Sequence, residues 1–293
     1  MAFLVRFWGT RGSIPTPGPR TRKYGGNTSC VELTIDDTLF VCDGGTGLRE
    51  LGLDAANRAP HAVSAHLFFS HMHWDHIQGF PFFVPAYAPT TSLHVYEITA
   101  GDDRVQRLLH GQMRSEYFPV SFSDLGSRIT ADHFEAGRKL VNGVSVTAIE
   151  QTHPGKSFGF CFEKNGVKVV YATDNELDLV IENADEAERD PALMRLIPEQ
   201  FVRFAAGADL LIADGQYTDE EYRTKRGWGH ARATTVVDLA VQAGVKQCAI
   251  FHHDPMHSDD EVDGIIEGCQ ERAKRAGSDV VVFGAREGLT LKF

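Results

Sequence analysis

One short run of the chain has the residue types and spacing of a metal site. It reads His71-Met72-His73-Trp74-Asp75-His76, an HxHxDH pattern that directly follows the strand-like segment Ser64–Phe69. Residues two apart in an extended chain point the same way, so the rings of His71 and His73 can reach one ion. Imidazole nitrogen and carboxylate oxygen are both ligands of Zn²⁺. Asp75 and His76 follow as the chain turns, and they can serve a second ion beside the first.

Four residues rarely complete a site for two ions, so further ligands are expected at the ends of other predicted strands. His153, Asp174 and the His252-His253 pair each follow a strand-like segment. Those segments are Val144–Ile149, Val167–Ala172 and Gln247–Phe251. Loops that leave the carboxyl ends of strands gather over one edge of a sheet, where functional side chains meet. These residues therefore complete the candidate site.

The elements that must position these residues follow a mixed α/β pattern. The N-terminal half is rich in strands, and the last third alternates strand and helix, which is typical of α/β folds. No linker, repeat or low-complexity stretch interrupts the chain, so we predict one domain over residues 1–293. Acidic segment Asp178–Asp190 is expected to be a solvated face. Residues 101–119 could form a helical lid, although a solvated helix is the simpler interpretation.

Composition narrows the classes of protein that fit. The chain has 293 residues and a formal net charge of −11, which disfavours a generally basic nucleic-acid binder. Its five cysteines are scattered and form no CxxC pair, which indicates reduced thiols. The N-terminus lacks the apolar stretch of a signal peptide, and no apolar run is long enough to span a membrane. We therefore expect a cytoplasmic protein without a membrane partner.

The HxHxDH run followed in order by His153, Asp174 and His252 resembles the metallo-β-lactamase superfamily. The resemblance covers nearly the whole chain and implies an αββα sandwich. Within that superfamily, Asp214 after one strand and His230 before the next helix resemble the phosphodiesterase branch. This branch contains ribonuclease Z, the phosphoribosyl cyclic phosphodiesterases and the class II cyclic-nucleotide phosphodiesterases. The N-terminal Gly-Thr-Arg-Gly-Ser-Ile-Pro segment is similar to the opening of the same branch.

The resemblance implies two divalent metal ions. One would be held by His71, His73 and His153, the other by Asp75, His76 and His252, with Asp174 bridging. With His252 as the ligand, His253 would lie beside the metal or in the pocket lining. The set contains only nitrogen and oxygen donors, which suits Zn²⁺ and leaves Mn²⁺ or Fe²⁺ open.

The resemblance also implies a mechanism. Two divalent ions, two ligand carboxylates and a bridging hydroxide leave about one positive charge, which suits a monoanionic phosphodiester. The hydroxide would attack phosphorus, with Asp75 in the catalytic centre. His230, oriented by Asp214, would act as general acid toward the leaving group.

The sequence favours a small cyclic nucleotide or nucleotide-like diester as substrate. A tRNA 3′-processing endonuclease of the ribonuclease Z kind is the alternative, but it needs a basic arm. Between Asp174 and Asp209, where such an arm is expected, the chain is acidic, so we expect no stable nucleic-acid partner. A lactone or ester hydrolase and a non-catalytic metal-fold module are the further alternatives.

Two weaker predictions concern substrate contacts and assembly. The glycine-containing loop that carries Asn27, Thr28 and Ser29 could line the substrate through backbone N–H groups, as could His253. A plain connection between strands is an equal reading of that loop. A homodimer is compatible with the sequence.

Overall fold

Two seven-stranded sheets and a set of helices make up the structure, a computed structural model that describes residues 3–59, 62–97, 104–134 and 136–293. The strands of the described residues are β1 (Phe3–Gly9), β2 (Cys30–Ile35), β3 (Thr38–Cys42), β4 (Ser64–Phe68), β5 (Ser92–Glu97), β6 (Arg128–His133), β7 (Gly137–Val141), β8 (Val144–Gln151), β9 (Ser157–Lys164), β10 (Val167–Ala172), β11 (Leu210–Asp214), β12 (Gln247–Phe251), β13 (Val281–Gly284) and β14 (Thr290–Lys292). The α-helices are α1 (Gly47–Arg58), α2 (Trp74–Ile77), α3 (Arg104–Gln112), α4 (Ala184–Arg189), α5 (Glu199–Ala205), α6 (Asp219–Lys225), α7 (Ala233–Gln242) and α8 (Asp259–Arg275).

The chain divides into two compact units, each built on one sheet. The first unit takes in the described residues of 1–17, 25–136 and 286–293, and the second takes in 18–24 and 137–285. The α/β class predicted from the sequence is confirmed. A single domain over 1–293 stays a prediction.

In the first unit the strand order is β14-β1-β2-β3-β4-β5-β6. Strands β1 to β3 pair antiparallel, whereas β3, β4, β5 and β6 pair parallel. Helix α1 buries Leu48, Leu51 and Ala55 in a core that also holds Phe80 and Phe83. The parallel pairing places the carboxyl ends of β3 and β4 side by side, so Asp43 and the His71–His76 loop leave the sheet at the same edge.

In the second unit the order is β13-β12-β11-β10-β9-β8-β7. Strands β10 to β13 are parallel, and β7 to β10 are antiparallel. Helices α7 and α8 bury Val236, Val237 and Ile266 in a core cluster of this unit. Helix α8 begins in a capping box, because Ser258 accepts from the backbone of Glu261 and Glu261 caps Ser258 in return.

Most predicted elements are present within a residue or two of their bounds. Strands β10 and β12 match their predicted ranges, and β4 and β8 end within two residues of theirs, while β7 and β14 have no counterpart in the sequence reading. The predicted lid region, residues 101–119, lies partly outside the described residues. Within its described part, Arg104–Gln112 is helical. All five cysteines are buried free thiols, as expected. Among the described residues no helix is long and apolar enough to cross a membrane.

The acidic segment was only partly predicted correctly. Asp178, placed on a solvated face by the sequence reading, is buried. Its two carboxylate oxygens accept hydrogen bonds from Thr235 Oγ1 at 2.6 Å and from the Arg232 backbone N–H at 2.9 Å. A carboxylate at a helix start satisfies unpaired N–H groups and favours the helix dipole. Asp178 therefore caps α7 across 54 positions of sequence, a contact that local composition does not reveal.

Candidate metal centre and acid–base pair

The first unit brings the histidines of the HxHxDH run together. The His71 ring lies 4.4 Å from that of His73 and 4.3 Å from that of His76, measured between centroids. His76 Nε2 lies 3.3 Å from Asp75 Oδ2. The tight geometry arises because the chain turns into the short helix α2 immediately after His73.

Asp43 orients two of these rings from behind. Its Oδ2 accepts from His76 Nδ1 and from Ser70 Oγ, each at 2.8 Å, and its Oδ1 accepts from the Ser70 backbone N–H at 2.7 Å. Ser70 Oγ lies 3.1 Å from His71 Nδ1, and since its only proton goes to Asp43, it must accept from that ring. Both imidazoles thus carry their proton on Nδ1, which places the lone pair on Nε2, the arrangement of a metal-ligating histidine.

The N-terminal Gly-Thr-Arg-Gly-Ser-Ile-Pro segment acts on Asp75. The Ser13 backbone N–H donates to Asp75 Oδ2 at 2.7 Å. Within the same segment the fully buried Arg11 donates from Nε to the Gly25 carbonyl at 2.9 Å. The segment that resembles the family opening therefore fixes the carboxylate of a candidate ligand.

The second unit forms its own cluster of candidate ligands. Asp174, Asp214, His230 and His252 each offer one atom, and these atoms lie within 4.8 Å of one another. Asp174 lies between two imidazoles, with Oδ1 at 3.4 Å from His252 Nε2 and Oδ2 at 3.9 Å from His153 Nε2. The ends of β8, β10, β11 and β12 carry His153, Asp174, Asp214 and His252, as the sequence predicts, and His230 lies before α7.

Acceptors behind the histidines of this unit fix their tautomers too. His252 Nδ1 donates to Gln216 Oε1 at 2.8 Å, and His153 Nδ1 donates to the Gly229 carbonyl at 2.9 Å. Burial also lowers the pKa of His153, which favours the neutral ring that a cation needs. In both residues the ring lone pair is therefore left on Nε2.

Asp214 and His230 form the predicted pair. His230 Nδ1 lies 2.8 Å from Asp214 Oδ2 and 3.8 Å from Asp174 Oδ2. The second oxygen of Asp214 accepts from the Gln216 backbone N–H at 3.0 Å. A buried carboxylate against Nδ1 favours the charged ring and leaves Nε2 as the atom that can deliver a proton.

Three residues at the strand ends hold a backbone conformation that side chains disfavour. Asp43, Asp174 and His252 have φ values of 61°, 52° and 59°. Such left-handed residues cost on the order of 1–3 kcal/mol each and persist where the surroundings enforce them. Asp43 and His252 directly follow β3 and β12, and Asp174 comes two residues after the end of β10, so the sheets supply that enforcement.

Glu176 shapes the loop before His230. Its Oε1 accepts from Tyr222 Oη at 2.7 Å and from the Gly227 N–H at 2.6 Å, and its Oε2 accepts from the Gly229 N–H at 2.7 Å. Gly229 in turn receives the hydrogen bond from His153. One buried carboxylate therefore controls the loop that orients His153 and leads into His230.

The remaining predicted substrate residues engage other parts of their own units. Thr28 Oγ1 accepts from the Thr46 N–H at 2.9 Å, and Asn27 binds the Glu287 carboxylate through its backbone and side chain. Ser29 is fully buried. His253 lies outside the Asp174 cluster and donates from Nε2 to the Ala285 carbonyl at 2.8 Å. Their contact with substrate stays a prediction, and these hydrogen bonds favour the plain structural reading of the Asn27–Ser29 loop.

Sequence reasoning did not single out Asp43, Gln216 or Glu176. The only available signal for Asp43 was its place between a strand and two glycines, which parallels the placement of Asp174 and His252. Gln216 and Glu176 act over 36 and up to 53 positions, so no local pattern reports them.

The donor atoms of both clusters suit divalent cations. They are imidazole Nε2 atoms with Nδ1 held by an acceptor, together with buried carboxylates. Second-sphere acceptors of this kind are the usual companions of metal-ligating histidines.

Comparison with known proteins identifies the family. A model of the β-lactamase superfamily domain matches residues 38–253. This chain therefore belongs to the metallo-β-lactamase superfamily, as the sequence predicts.

Relatives within it share modest identity over most of their length. Ribonuclease Z of Haloarcula marismortui is 21% identical, and the match covers 86% of each chain. Ribonuclease Z of Porphyromonas gingivalis is 23% identical, with 92% of this chain and 94% of the relative covered.

Solved structures confirm the fold. The metallo-β-lactamase fold protein YhfI from Bacillus subtilis superposes with a TM-score of 0.70 at 18% identity, over 100% of this chain and 99% of its own. The short form of human tRNase Z gives a TM-score of 0.66 at 16% identity, with 98% of each chain covered. At these identities the likeness concerns the fold.

Two neighbouring glycines test the link between the His230 loop and His153. A Cβ on Gly229 would lie 2.2 Å from His153 Nδ1, whereas a Cβ on Gly227 would meet nothing within 4 Å. Both glycines have positive φ, so Gly227→Ala is a control with comparable backbone strain. We expect Gly229→Ala to break the His153 hydrogen bond and to lower the melting temperature further than Gly227→Ala. Crystal structures and thermal melts of both variants measure this, and equal melts with an unmoved His153 would contradict it.

Proposed function

We propose that this chain is a metal-dependent hydrolase of phosphodiester bonds. The observation that carries the proposal is the buried Asp214–His230 pair, at 2.8 Å, beside Asp174 and His252. The pair matches the pattern of the phosphodiesterase branch that the sequence resembles, which favours a phosphodiester over an ester or a lactam. Cleavage of a nucleotide diester expels an alkoxide, which does need a proton.

We assign the metal ligands as the family resemblance implies. His71, His73 and His153 would hold one ion, Asp75, His76 and His252 the other, and Asp174 would contact both. Divalent ions supply Lewis-acid charge at the phosphoryl group and lower the pKa of water toward neutrality. Zn²⁺ fits the nitrogen and oxygen donors, and Mn²⁺ or Fe²⁺ fits them as well.

The chain's own groups then divide the work. Asp43 and Gln216 keep Nε2 of His76 and His252 presented by holding Nδ1. Asp214 stabilises the protonated form of His230, whose Nε2 delivers its proton to the leaving oxygen. Ser13 holds the Asp75 carboxylate in place through its backbone N–H.

For the substrate, we propose an RNA 3′ end, as the relatives named ribonuclease Z suggest. This substrate was the alternative in the sequence reading. A small cyclic or nucleotide-like diester is the second candidate, favoured by the net charge of −11 and the acidic helix α4. The cytoplasmic location without a membrane partner that is expected from the sequence fits both candidates.

A substrate panel tests the proposal. Steady-state kinetics should be measured on a tRNA precursor with a 3′ trailer, on cyclic nucleotides and on bis(p-nitrophenyl) phosphate, with a lactone and a β-lactam as controls. We expect the highest kcat/KM for the RNA and measurable turnover of the generic diester. Turnover of the lactone or β-lactam with none of any diester would overturn the function. A higher kcat/KM for a cyclic nucleotide would favour the second candidate.

Metal content tests the ligand assignment. We expect two divalent ions per chain in the purified protein, and fewer in Asp75→Ala and His76→Ala. Loss of the orienting carboxylate in Asp43→Ala should weaken metal affinity about 10- to 100-fold. His110→Ala, which removes an exposed histidine outside every cluster, is the control. Elemental analysis and metal titration measure these values. Unchanged content in both Asp75→Ala and His76→Ala would show that the second ion is misassigned.

Leaving-group dependence tests the acid role of His230. An alkoxide leaving group is strongly basic, whereas p-nitrophenolate is stable without a proton. His230→Ala should slow a nucleotide diester by roughly 10²- to 10⁴-fold and the activated diester far less. Asp214→Asn should give a milder version, since the ring remains but its charged partner does not.

Metal content should be measured on the same samples and should stay unchanged. Equal losses on the two diesters would mean that His230 binds phosphate or supports the fold, and the acid role would then be abandoned.

A further inference from the structure

A basic segment leads directly into His230, and its charge is opposite to that of the whole chain. Residues 222–232 read Tyr-Arg-Thr-Lys-Arg-Gly-Trp-Gly-His-Ala-Arg, with four Arg or Lys residues and no Asp or Glu. The complete chain carries −11. The segment itself therefore carries four positive charges next to the candidate acid, of which Lys225 is paired with Asp254 at 3.0 Å.

The arginines of this segment line a cavity. Its volume is about 370 Å³, and its walls include Tyr222, Arg223, Arg226 and Arg232. Small-molecule sites usually measure about 300–1,000 Å³, so one nucleotide unit is of suitable size. Arg232 is already held, because its guanidinium lies 4.6 Å from the Tyr222 ring centroid and 3.6 Å from Asp178.

Two arginines remain to meet a ligand. Arg223 is exposed, and Arg226 forms an exposed 3.6 Å ion pair with Glu188. Two acidic residues also line the cavity. Glu188 is the exposed partner of Arg226, in a pair that solvent weakens, and Asp219 forms an ion pair with the buried Arg195. The cavity thus offers two guanidinium groups to an anion, and guanidinium matches phosphate geometry in a bidentate fashion.

An exposed indole lies on the same segment. Trp228 is 62% exposed, two residues before His230. The hydrogen bonds of Gly227 and Gly229 to Glu176 fix the backbone on both sides of it. A large aromatic held on an ordered loop beside cationic groups is the arrangement on which nucleobases stack.

Glu176 also joins the cavity to the candidate acid. It binds Tyr222 in the cavity wall and Gly229 next to His230. A chain seated in the cavity is therefore held on the same loop that presents the acid.

We propose that residues 222–232 bind single-stranded RNA beside the scissile bond, with Arg223 and Arg226 on a backbone phosphate and Trp228 stacked on a base. This inference rests on the proposed phosphodiesterase function and specifies its substrate contacts. An RNA-processing enzyme was expected to need a basic arm between Asp174 and Asp209, where the chain is acidic. In this proposal residues 222–232 provide the basic contact instead.

Binding measurements in the slow His230→Ala background test the contacts apart from turnover. Anisotropy of a labelled single-stranded RNA should show weaker binding by the Arg223→Gln, Arg226→Gln double variant. The slope of log affinity against log salt should fall by about 0.7 for each lost phosphate contact. Trp228→Ala should weaken binding roughly tenfold, and Trp228→Phe should restore most of it, because base stacking needs only an aromatic face.

Matched controls exclude a general charge or folding effect. The Arg203→Gln, Arg275→Gln double variant removes the same charge from exposed positions of α5 and α8, and should leave RNA affinity and salt slope unchanged. In the otherwise wild-type chain, this control variant should also turn over bis(p-nitrophenyl) phosphate normally. Competition by inorganic polyphosphate against the labelled RNA should require the two arginines but not Trp228.

The outcomes separate the inference from the function. The inference would be overturned if the arginine double variant had the same RNA affinity and salt slope as its parent, even if diesters are cleaved. No effect of Trp228→Ala on RNA binding would also overturn it, since an anion site would remain without the base contact. Arginine- and tryptophan-dependent RNA binding without any diester cleavage would uphold the binding contacts and refute the proposed function.

Discussion

A hydrogen-bond acceptor behind four of the candidate ligand rings, those of His71, His76, His153 and His252, determines what each unit's cluster can bind. Neutral imidazole has one protonated nitrogen and one lone pair, so whatever fixes Nδ1 decides what Nε2 can do. Asp43 fixes His76 directly and His71 through Ser70, while Gln216 and the Gly229 carbonyl fix His252 and His153. The acceptors are a carboxylate, a hydroxyl, a side-chain amide and a backbone carbonyl, yet each has the same result. The donor set is therefore organised for a cation by residues that need not touch the cation.

That organisation depends on strained strand ends. Asp43, Asp174 and His252 all take left-handed backbone conformations after buried strands. Parallel pairing of β3 with β4, and of β10, β11 and β12, holds the chain up to those residues in regular register. The sheets thus fix the positions from which the chain must turn sharply, and the turn aims a polar side chain out of the sheet edge. The same sequence in a looser sheet would relax to an unstrained loop.

The parts of this arrangement that sequence could predict are those encoded locally. Strands β10 and β12 and the polar residues that follow them form continuous patterns, so Asp174 and His252 were identified with their elements. Asp178 and Glu176 were not, because their partners lie up to 54 positions away, at the start of α7 and in the loop before His230. A composition profile cannot distinguish a buried carboxylate that accepts from distant backbone N–H groups from an acidic residue exposed to solvent. Tertiary contacts, rather than charge, decide which of the two they are.

The same distinction applies to the electrostatic argument about substrate. A net charge of −11 is a sum over the surface, and Coulomb interactions between exposed charges are largely screened beyond about 8–10 Å in physiological salt. What an anion meets at one point of the surface is set by charges within that distance. Acidic side chains such as Asp178 and Asp219 are matched by buried or half-buried arginines, whereas Arg223 and Arg226 reach the cavity surface. The field of residues 222–232 can therefore be positive in an acidic protein, and a large polyanion is not disfavoured by net charge alone.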